Sequence, residues 1–265
     1  EPTMAKDLPK YVKVVKSKDL KCFMYCNGAR LKGQFMKDVI DAGIDFIRFS
    51  MIGYDREQYK KWMNVDNFDL IFSNIEEMSN YIKESNSKCE ISTYHLVLDN
   101  EKAKENIELY KKNIVEKIKA DKSYIWRMHN WSGNYNNNLN SRNMINKRSC
   151  GRPFAPEITI RAGGSVGRTG AIMPCCQTLG PPNEIKSILG HLDTETFEDI
   201  YFGKKYEELR EAHRNEKFDK IEYCKNCDFL DGDPEVLAWS NDKSARIDHM
   251  LGTEKEFTLT DSKYI

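Results

Sequence analysis

Strand-like and helix-like segments alternate along the first half of the sequence, and this order restricts the fold more than any other feature. The strand-like segments are short and rich in Ile, Phe, Tyr and Val, and they span residues 20–26, 44–53, 89–98 and 123–131. The segments between them place apolar residues at helical spacing, as in FDLIFSNIEEMSNYI. Strands joined by helical crossovers form a parallel sheet or barrel. The sequence therefore predicts an α/β fold, whose four visible strands are too few to close an eight-stranded barrel.

Two cysteines in the first of these strands have the spacing that opens an iron–sulfur motif. Three residues separate Cys22 from Cys26, but the third cysteine position of a CxxxCxxC motif is occupied by Ala29. A cluster would need three soft anionic ligands here, so this stretch does not form the motif. We predict instead that Cys22, Cys26 and Cys89 are inert strand residues, because free cysteine behaves as a small hydrophobic side chain. The Asn-Gly turn after the first strand lies at the carboxyl end of the sheet, where α/β enzymes place their chemistry.

The charge balance and hydropathy of the sequence exclude several classes of function. Forty-one basic residues offset 41 acidic ones, so no net charge favours binding to nucleic acid or to an anionic membrane surface. No apolar run approaches the roughly 20 residues that span a bilayer, and no signal peptide opens the sequence. We therefore expect a cytoplasmic protein. The sequence opens with EPTMAKDLPKY and has no initiator Met, which we interpret as a start inside a longer protein.

An Asn-rich stretch divides the sequence into two parts. SGNYNNNLNSRNMINKRS follows Trp131 and has few residues to bury, which is typical of a linker or loop. We therefore predict a partial barrel domain at residues 1–133, a linker at 134–149, and a second domain with a C-terminal tail at 150–265.

The second domain has its own group of cysteines. Five of the eight cysteines of the chain fall in fewer than 80 residues, in the order Cys150, Cys175, Cys176, Cys224 and Cys227. The last two form a CxxC pair. Disulfides are disfavoured in the cytoplasm, so a clustered set with this pair indicates metal binding rather than cross-linking.

The cysteine-rich part resembles the SPASM or Twitch auxiliary-cluster domain of radical S-adenosylmethionine (SAM) enzymes. The resemblance is carried by the hairpin TGAIMPC, the segment LGHLDTETFEDIYFGKKYEELR and the closing YCKNC, in this order. The first half is similar to the barrel of the same enzymes, because Glu1-Pro2 match the end of their GGEP motif. The segment CFMYCNGA is similar to the barrel strand that follows this motif. IDFIRFSMIGYDREQY resembles the strand after it, and Ser50 and Gly53 match that strand.

The resemblance implies an α/β fold consisting of a partial (β/α)6 radical SAM barrel and a small SPASM or Twitch iron–sulfur domain. The first barrel strand and the CxxxCxxC cluster loop would lie upstream, so this chain by itself is expected to be inactive. The full-length protein would bind SAM and a [4Fe–4S] cluster in its barrel. An auxiliary [4Fe–4S] cluster would have four ligands, Cys150, Cys175, Cys224 and Cys227. Cys176 is the alternative to Cys175, although the Gly-x4-Cys spacing favours Cys175.

The resemblance also implies roles for individual polar residues. Glu1 would accept a hydrogen bond from the amino group of SAM, Ser50 would lie near its ribose, and Asn27 would be close by. His129, at the end of the last barrel strand, is a candidate general base, and Arg152 beside Cys150 is a second catalytic candidate. His95 lies in the middle of a strand, and we predict that its role is structural.

The function implied by the resemblance is that of a radical SAM oxidoreductase. It would abstract hydrogen from a small polar substrate such as a sugar or aminocyclitol, and the auxiliary cluster would accept an electron. A reductant protein such as flavodoxin or ferredoxin would supply the electrons. Two alternatives stay open: a radical SAM maturase that modifies a peptide, and a non-catalytic protein in which the four cysteines bind zinc.

Overall fold

The structure is a computed structural model, and it describes residues 1–97, 100–133, 147–161, 168–178, 187–230, 236–241 and 258–259. The chain forms two units. The first comprises Glu1–Arg127 together with the C-terminal residues from Pro234, and the second is Met128–Asp233.

The first unit is built on a parallel sheet. Its parallel strands are β1 Phe23–Cys26, β2 Phe46–Ser50, β3 Glu90–Val97 and β4 Lys122–Arg127. They are hydrogen-bonded in chain order, with Phe23 opposite Phe46 and Ser92 opposite Lys122. Each corresponds to one of the strand-like segments, which confirms the α/β fold class predicted from the sequence.

Helices connect these strands and cover one face of the sheet. They are α1 Leu8–Lys16, α2 Gly33–Asp41, α3 Arg56–Met63, α4 Phe68–Glu84 and α5 Ala103–Tyr110. The apolar stripe of α4 is buried, as its helical spacing predicts, with Ile71, Ile75 and Met78 packed in the core of the unit. Cys26 and Cys89 belong to the same core, and Cys22 packs against it, so the predicted inert role of these three cysteines agrees with where they lie.

The predicted domain boundaries differ from the observed division in two ways. The last parallel strand ends at Arg127, and residues from Met128 belong to the second unit. Trp131 and Ser132 have positive φ angles of 44° and 59°, which a β-strand does not accommodate. Of the predicted linker, residues 134–146 lie outside the described residues.

The C-terminal residues, which the sequence analysis assigned to the second domain, return to the first unit. Strand β8, Val236–Asn241, pairs antiparallel with β4, and β9, Thr258–Leu259, pairs with β8. An edge strand exposes unpaired backbone groups, and β8 satisfies those of β4. The described part of this sheet therefore has six strands in the order β1-β2-β3-β4-β8-β9.

The second unit combines a small antiparallel sheet with helices. Its strands are β5 Thr159–Arg161, β6 Ala171–Met173 and β7 Gly190–His191, and its helices are α6 Phe197–Tyr201, α7 Lys204–Arg214 and α8 Glu222–Lys225. The sheet and helices share a small core that includes Ile172, Leu189 and Leu209. Arg210 of α7 is 8% exposed and donates to the backbone oxygens of Pro153 and Tyr201, so it fixes the segment that follows Cys150.

Within the described ranges, we find no helix with the length and apolarity that crossing a bilayer requires.

His95 has a structural position in the first unit, as the sequence indicated. It is 1% exposed, its Nδ1 accepts a hydrogen bond of 3.0 Å from the backbone N–H of Gly53, and its ring stacks on Tyr110 with centroids 4.6 Å apart. Burial lowers the pKa of His95 from 6.5 to about 3. The ring is therefore neutral at physiological pH.

We expect the burial of His95 to make the stability of the first unit depend on pH. Between pH 6.5 and 3 the unfolded chain takes up a proton that the folded chain excludes, so stability falls as the pH falls through this window. The loss from this group reaches about 2 kcal/mol at pH 5. Urea unfolding at pH 7 and pH 5 measures it. H95N is the control, because the Asn oxygen can replace Nδ1 as acceptor for Gly53 but does not titrate. An identical pH dependence in parent and variant would contradict the prediction.

Candidate functional site

Two of the predicted SAM-binding residues contact each other at the carboxyl edge of the parallel sheet. Glu1 is the N-cap of a short 3₁₀ helix, and its Oε1 accepts a hydrogen bond of 3.1 Å from the backbone N–H of Thr3. Its Oε2 accepts one of 2.8 Å from the backbone N–H of Asn27. The hydroxyl of Thr3 also donates to Oε1, at 2.5 Å. The carboxylate therefore holds the turn after β1, and Oε2 has a further lone pair that can accept a donor from a ligand.

The turn after β1 depends on a glycine. Gly28 has a φ of +76°, and a Cβ at this position would lie 2.4 Å from Cδ1 of Phe49. Asn74 of α4 is 2% exposed and donates a hydrogen bond of 2.8 Å to the backbone oxygen of Gly28. The Asn-Gly turn predicted from the sequence is thus packed directly against the core, which fixes the position of Asn27.

Ser50 is the last residue of β2 and lies at the same carboxyl edge of the sheet. The loop after it turns at Gly53, which has a φ of +121° and whose Cβ would lie 2.4 Å from the backbone nitrogen of Tyr59. The structure therefore places Glu1, Asn27 and Ser50 at one edge, as the sequence predicted for strands that run parallel. Their role in SAM binding stays a prediction.

The face of the parallel sheet opposite the helices has charged residues that the sequence analysis did not single out. Arg48 of β2 is 3% exposed, and its Nε donates a hydrogen bond of 3.2 Å to Ser92 Oγ. Its guanidinium lies 4.6 Å from the ring centre of Tyr124. Three further rings lie 5.0, 5.2 and 5.9 Å from it, those of Tyr25, Phe46 and Trp126. We call the face that carries these residues the inner face.

A buried ion pair lies on the same inner face. Lys122 Nζ is 2.6 Å from Glu90 Oε2, and their side chains are 0% and 5% exposed. A charged residue inside an otherwise apolar strand, as in IDFIRFS, is the sequence signal that could have identified this face. Charges that are buried and paired give the face a fixed polar lining.

The second unit gathers four cysteines around one cavity. Cys150, Cys175, Cys224 and Cys227 all line it. We call it the cysteine cavity. Cys176 is exposed and does not line it, although it directly follows Cys175. All eight cysteines of the chain are thiols, since no disulfide joins any two of them.

Local structure explains why these cysteines meet. Cys150 precedes a 3₁₀ turn, Arg152–Phe154, that Arg210 anchors. Cys175 follows β6, and Cys224 lies on the short helix α8, one turn before Cys227, whose N–H donates to the backbone oxygen of Cys224. Three separate segments of the chain therefore supply the four sulfur atoms.

Burial is the main influence on the thiols in this cavity. It raises the pKa of Cys175 to about 12 and that of Cys227 to about 11, and it raises the pKa of Cys224 further. Ionisation of Cys224 would be opposed further by negative charge on Cys227, Cys175 or Cys150. Without a metal these thiols stay protonated at neutral pH, so metal binding releases protons.

The donor set of the cysteine cavity fits an iron–sulfur cluster. A single zinc ion holds its sulfur ligands about 3.8 Å apart, given its Zn–S distance of about 2.3 Å. Among the described residues, no three His, Cys, Asp or Glu side chains have an arrangement that would hold one metal ion. Four thiols that line one cavity are the ligand chemistry of a [4Fe–4S] cluster.

The two predicted catalytic residues, His129 and Arg152, both contact Phe229 in the second unit. The ring of His129 stacks on that of Phe229 with centroids 4.2 Å apart, and His129 is 6% exposed. The guanidinium of Arg152 lies 4.8 Å from the same ring, and its NH1 donates to Cys176 Sγ at 3.3 Å. Arg152 and Phe229 also line the cysteine cavity. The structure thus brings both residues next to the cysteines, and their catalytic role stays a prediction.

The structure thus defines a parallel α/β protein with a separate small domain that places four cysteines around a cavity. Residues 160–228 match the SPASM family, an iron–sulfur cluster-binding domain. This range includes Cys175, Cys224 and Cys227, and Cys150 precedes it.

Two known proteins are similar to this chain or to part of it. A probable GTP 3′,8-cyclase of Thermococcus kodakarensis is 33% identical over 82 residues, which are 31% of this chain and 26% of that protein. The chain thus matches about a quarter of the length of this curated relative. The crystal structure of BtrN in complex with AdoMet and 2-DOIA is 15% identical, with a TM-score of 0.48 over 86% of this chain and 69% of BtrN. The family match confirms the resemblance of the cysteine-rich part to a SPASM domain at residues 160–228.

Proposed function

We propose that this chain forms part of a cytoplasmic radical SAM oxidoreductase that removes hydrogen from a small polar substrate such as a sugar or aminocyclitol. The observation that carries the proposal is the convergence of four cysteines on one cavity within a domain that matches an iron–sulfur family. We assign Cys150, Cys175, Cys224 and Cys227 as ligands of an auxiliary [4Fe–4S] cluster. Such a cluster, with a protein ligand on each iron, supplies an acceptor for one electron.

The residues at the carboxyl edge are assigned to SAM. Glu1 presents a carboxylate that already fixes the turn at Asn27, so the remaining lone pair of Oε2 has a set direction for an ammonium donor. Ser50 supplies a hydroxyl at the same edge. The cysteines of the first unit do not provide the open cluster site that SAM requires, because Cys26 and Cys89 are core residues and Cys22 packs against that core.

Loss of hydrogen from an alcohol also requires a group that accepts the hydroxyl proton. His129 is our candidate, because Phe229 fixes its ring beside the cysteine cavity, and Arg152 supplies a positive charge at the same aromatic ring. A reductant such as flavodoxin or ferredoxin would deliver electrons to the complete enzyme.

Anaerobic reconstitution of residues 1–265 with iron and sulfide tests the proposal. We expect about four irons per chain and a brown protein, because the four thiolates bind one cluster. We also expect no cleavage of SAM, since every iron of that cluster has a protein ligand. Quantification of iron, sulfide and zinc, with analysis for 5′-deoxyadenosine, decides the outcome. A colourless protein that binds only zinc would overturn the proposal, and SAM cleavage by this chain would overturn the assignment of four protein ligands.

A further inference from the structure

Two polar side chains that line the cysteine cavity have buried atoms without a hydrogen-bond partner in the described part of the protein. They are Ser132, 7% exposed, with its Oγ enclosed, and His213, 3% exposed, with its Nε2 enclosed. A buried polar atom without a partner costs about 1–3 kcal/mol. A ligand in the cavity that accepts hydrogen bonds would remove this cost at both positions.

Ser132 reaches the cavity because of a strained turn. Trp131, Ser132 and Gly133 have successive φ angles of 44°, 59° and 80°, a left-handed region that the first two adopt at a cost. A Cβ at Gly133 would lie 2.8 Å from Cβ of Asn226. The turn therefore packs closely against Asn226, which lies between the two cysteines of the CxxC pair.

A hydrogen-bond network holds this strained turn in place. The backbone N–H of Asn130 donates to Asp228 Oδ2 at 2.8 Å, and its side-chain Nδ2 donates to the backbone oxygen of Asn226 at 2.6 Å. Its Oδ1 accepts from the N–H groups of Gly133 and Asp228. The network fixes Ser132 on the wall of the cysteine cavity, which Cys227 also lines.

A second network of hydrogen bonds surrounds the imidazole ring of His213. Ser149 Oγ accepts a hydrogen bond of 3.2 Å from the N–H of Gly151 and lies 3.0 Å from His213 Nδ1. We assign the tautomer in which the Ser149 hydroxyl donates to Nδ1 and the ring hydrogen is on Nε2, the enclosed nitrogen. The ring of Phe218 packs edge-on at 5.1 Å and fixes the imidazole plane. His213 therefore offers the cavity an N–H donor.

We propose that Ser132 and His213 donate hydrogen bonds to sulfur atoms of the cluster held in the cysteine cavity and thereby raise its reduction potential. The inference rests on the proposed function, because it requires a cluster at this place. Reduction adds negative charge to the cluster, and donors that point at its sulfurs stabilise the reduced form more than the oxidised one.

The test is the midpoint potential of the reconstituted chain, measured by a redox titration followed by electron paramagnetic resonance, with iron and sulfide quantified in the same samples. We expect S132A and H213N to retain the iron content of the parent and to shift the potential to more negative values. S132T keeps the hydroxyl, and H213Q places an amide N–H where Nε2 was, so both should stay near the parent. S187A removes the hydroxyl of a buried serine that does not line the cavity, and it should cause no shift.

The outcomes separate this inference from the function on which it rests. A full complement of iron with unshifted potentials in S132A and H213N would overturn the inference alone. Loss of iron from S132T as well as S132A would show that Ser132 acts through packing, and would also overturn its part. A parent chain without an iron–sulfur cluster would overturn the proposed function and the inference together.

Discussion

Replacing Cys175 with alanine is expected to remove the iron–sulfur cluster, whereas the same replacement of the adjacent Cys176 should leave iron and sulfide at the level of the parent chain. The two cysteines are neighbours in sequence, yet Cys175 lines the cysteine cavity and Cys176 is exposed outside it. A cluster that loses one of four thiolates loses a ligand that no other residue of the described cavity supplies. Iron and sulfide analysis after anaerobic reconstitution measures the difference.

Further variants make this prediction more specific. C150A and C227A should behave like C175A and should also destabilise the second unit, because metal binding contributes to the folding of small cluster domains. C22S is the control for loss of a cysteine elsewhere, since Cys22 packs against the core of the first unit. Equal iron in C175A and C176A, or loss of iron in C22S, would show that the ligand assignment is wrong.

Replacing Lys122 with Met is expected to destabilise the first unit by about 3–5 kcal/mol, because it leaves the charge of Glu90 buried without its partner. The two side chains are 0% and 5% exposed and their charged atoms are 2.6 Å apart. The double variant E90L/K122M removes both charges, and we expect it to recover most of the loss. Urea unfolding followed by circular dichroism gives the free energies of unfolding.

An exposed ion pair provides the matched comparison. Lys119 and Glu76 are 2.8 Å apart, similar to the buried pair, but their side chains are 49% and 59% exposed. Water and salt screen such a pair, so K119M should change stability very little. If K122M were no more destabilising than K119M, the buried pair on the inner face would not contribute as we propose.

Much of the local structure follows from patterns in the sequence. The strands β1 to β4 and the helices between them correspond to segments whose apolar residues recur at intervals typical of each element. Side chains alternate along a strand and repeat every 3.6 residues along a helix. Burial of one face therefore places apolar residues at regular intervals in the sequence. The spacing of five cysteines around the hairpin and the CxxC pair likewise indicated the cluster domain before any contact was known, as the SPASM match at residues 160–228 confirms.

The end of the barrel segment was less predictable. WRMHNW is apolar and aromatic enough to resemble a continuing strand, but the strand stops at Arg127. The decisive interactions are those of Asn130 with Asn226 and Asp228, almost 100 positions away in sequence. A pattern of neighbouring residues holds no information about such a distant partner. His129 therefore belongs to the second unit and not to the strand.

The sequence by itself determined the α/β class, the order of the segments that form the parallel strands, and the group of cysteines in the second half of the chain. Only the tertiary structure decided that β8 returns to pair with β4, that Lys122 faces Glu90, and that Ser132 and His213 line the same cavity as the cysteines. The physical reason is the separation along the sequence between the residues that interact. Burial of one face places apolar residues at every second position of a strand or every third to fourth position of a helix. A pairing between distant segments depends on how the whole chain packs, so it produces no local period in the sequence.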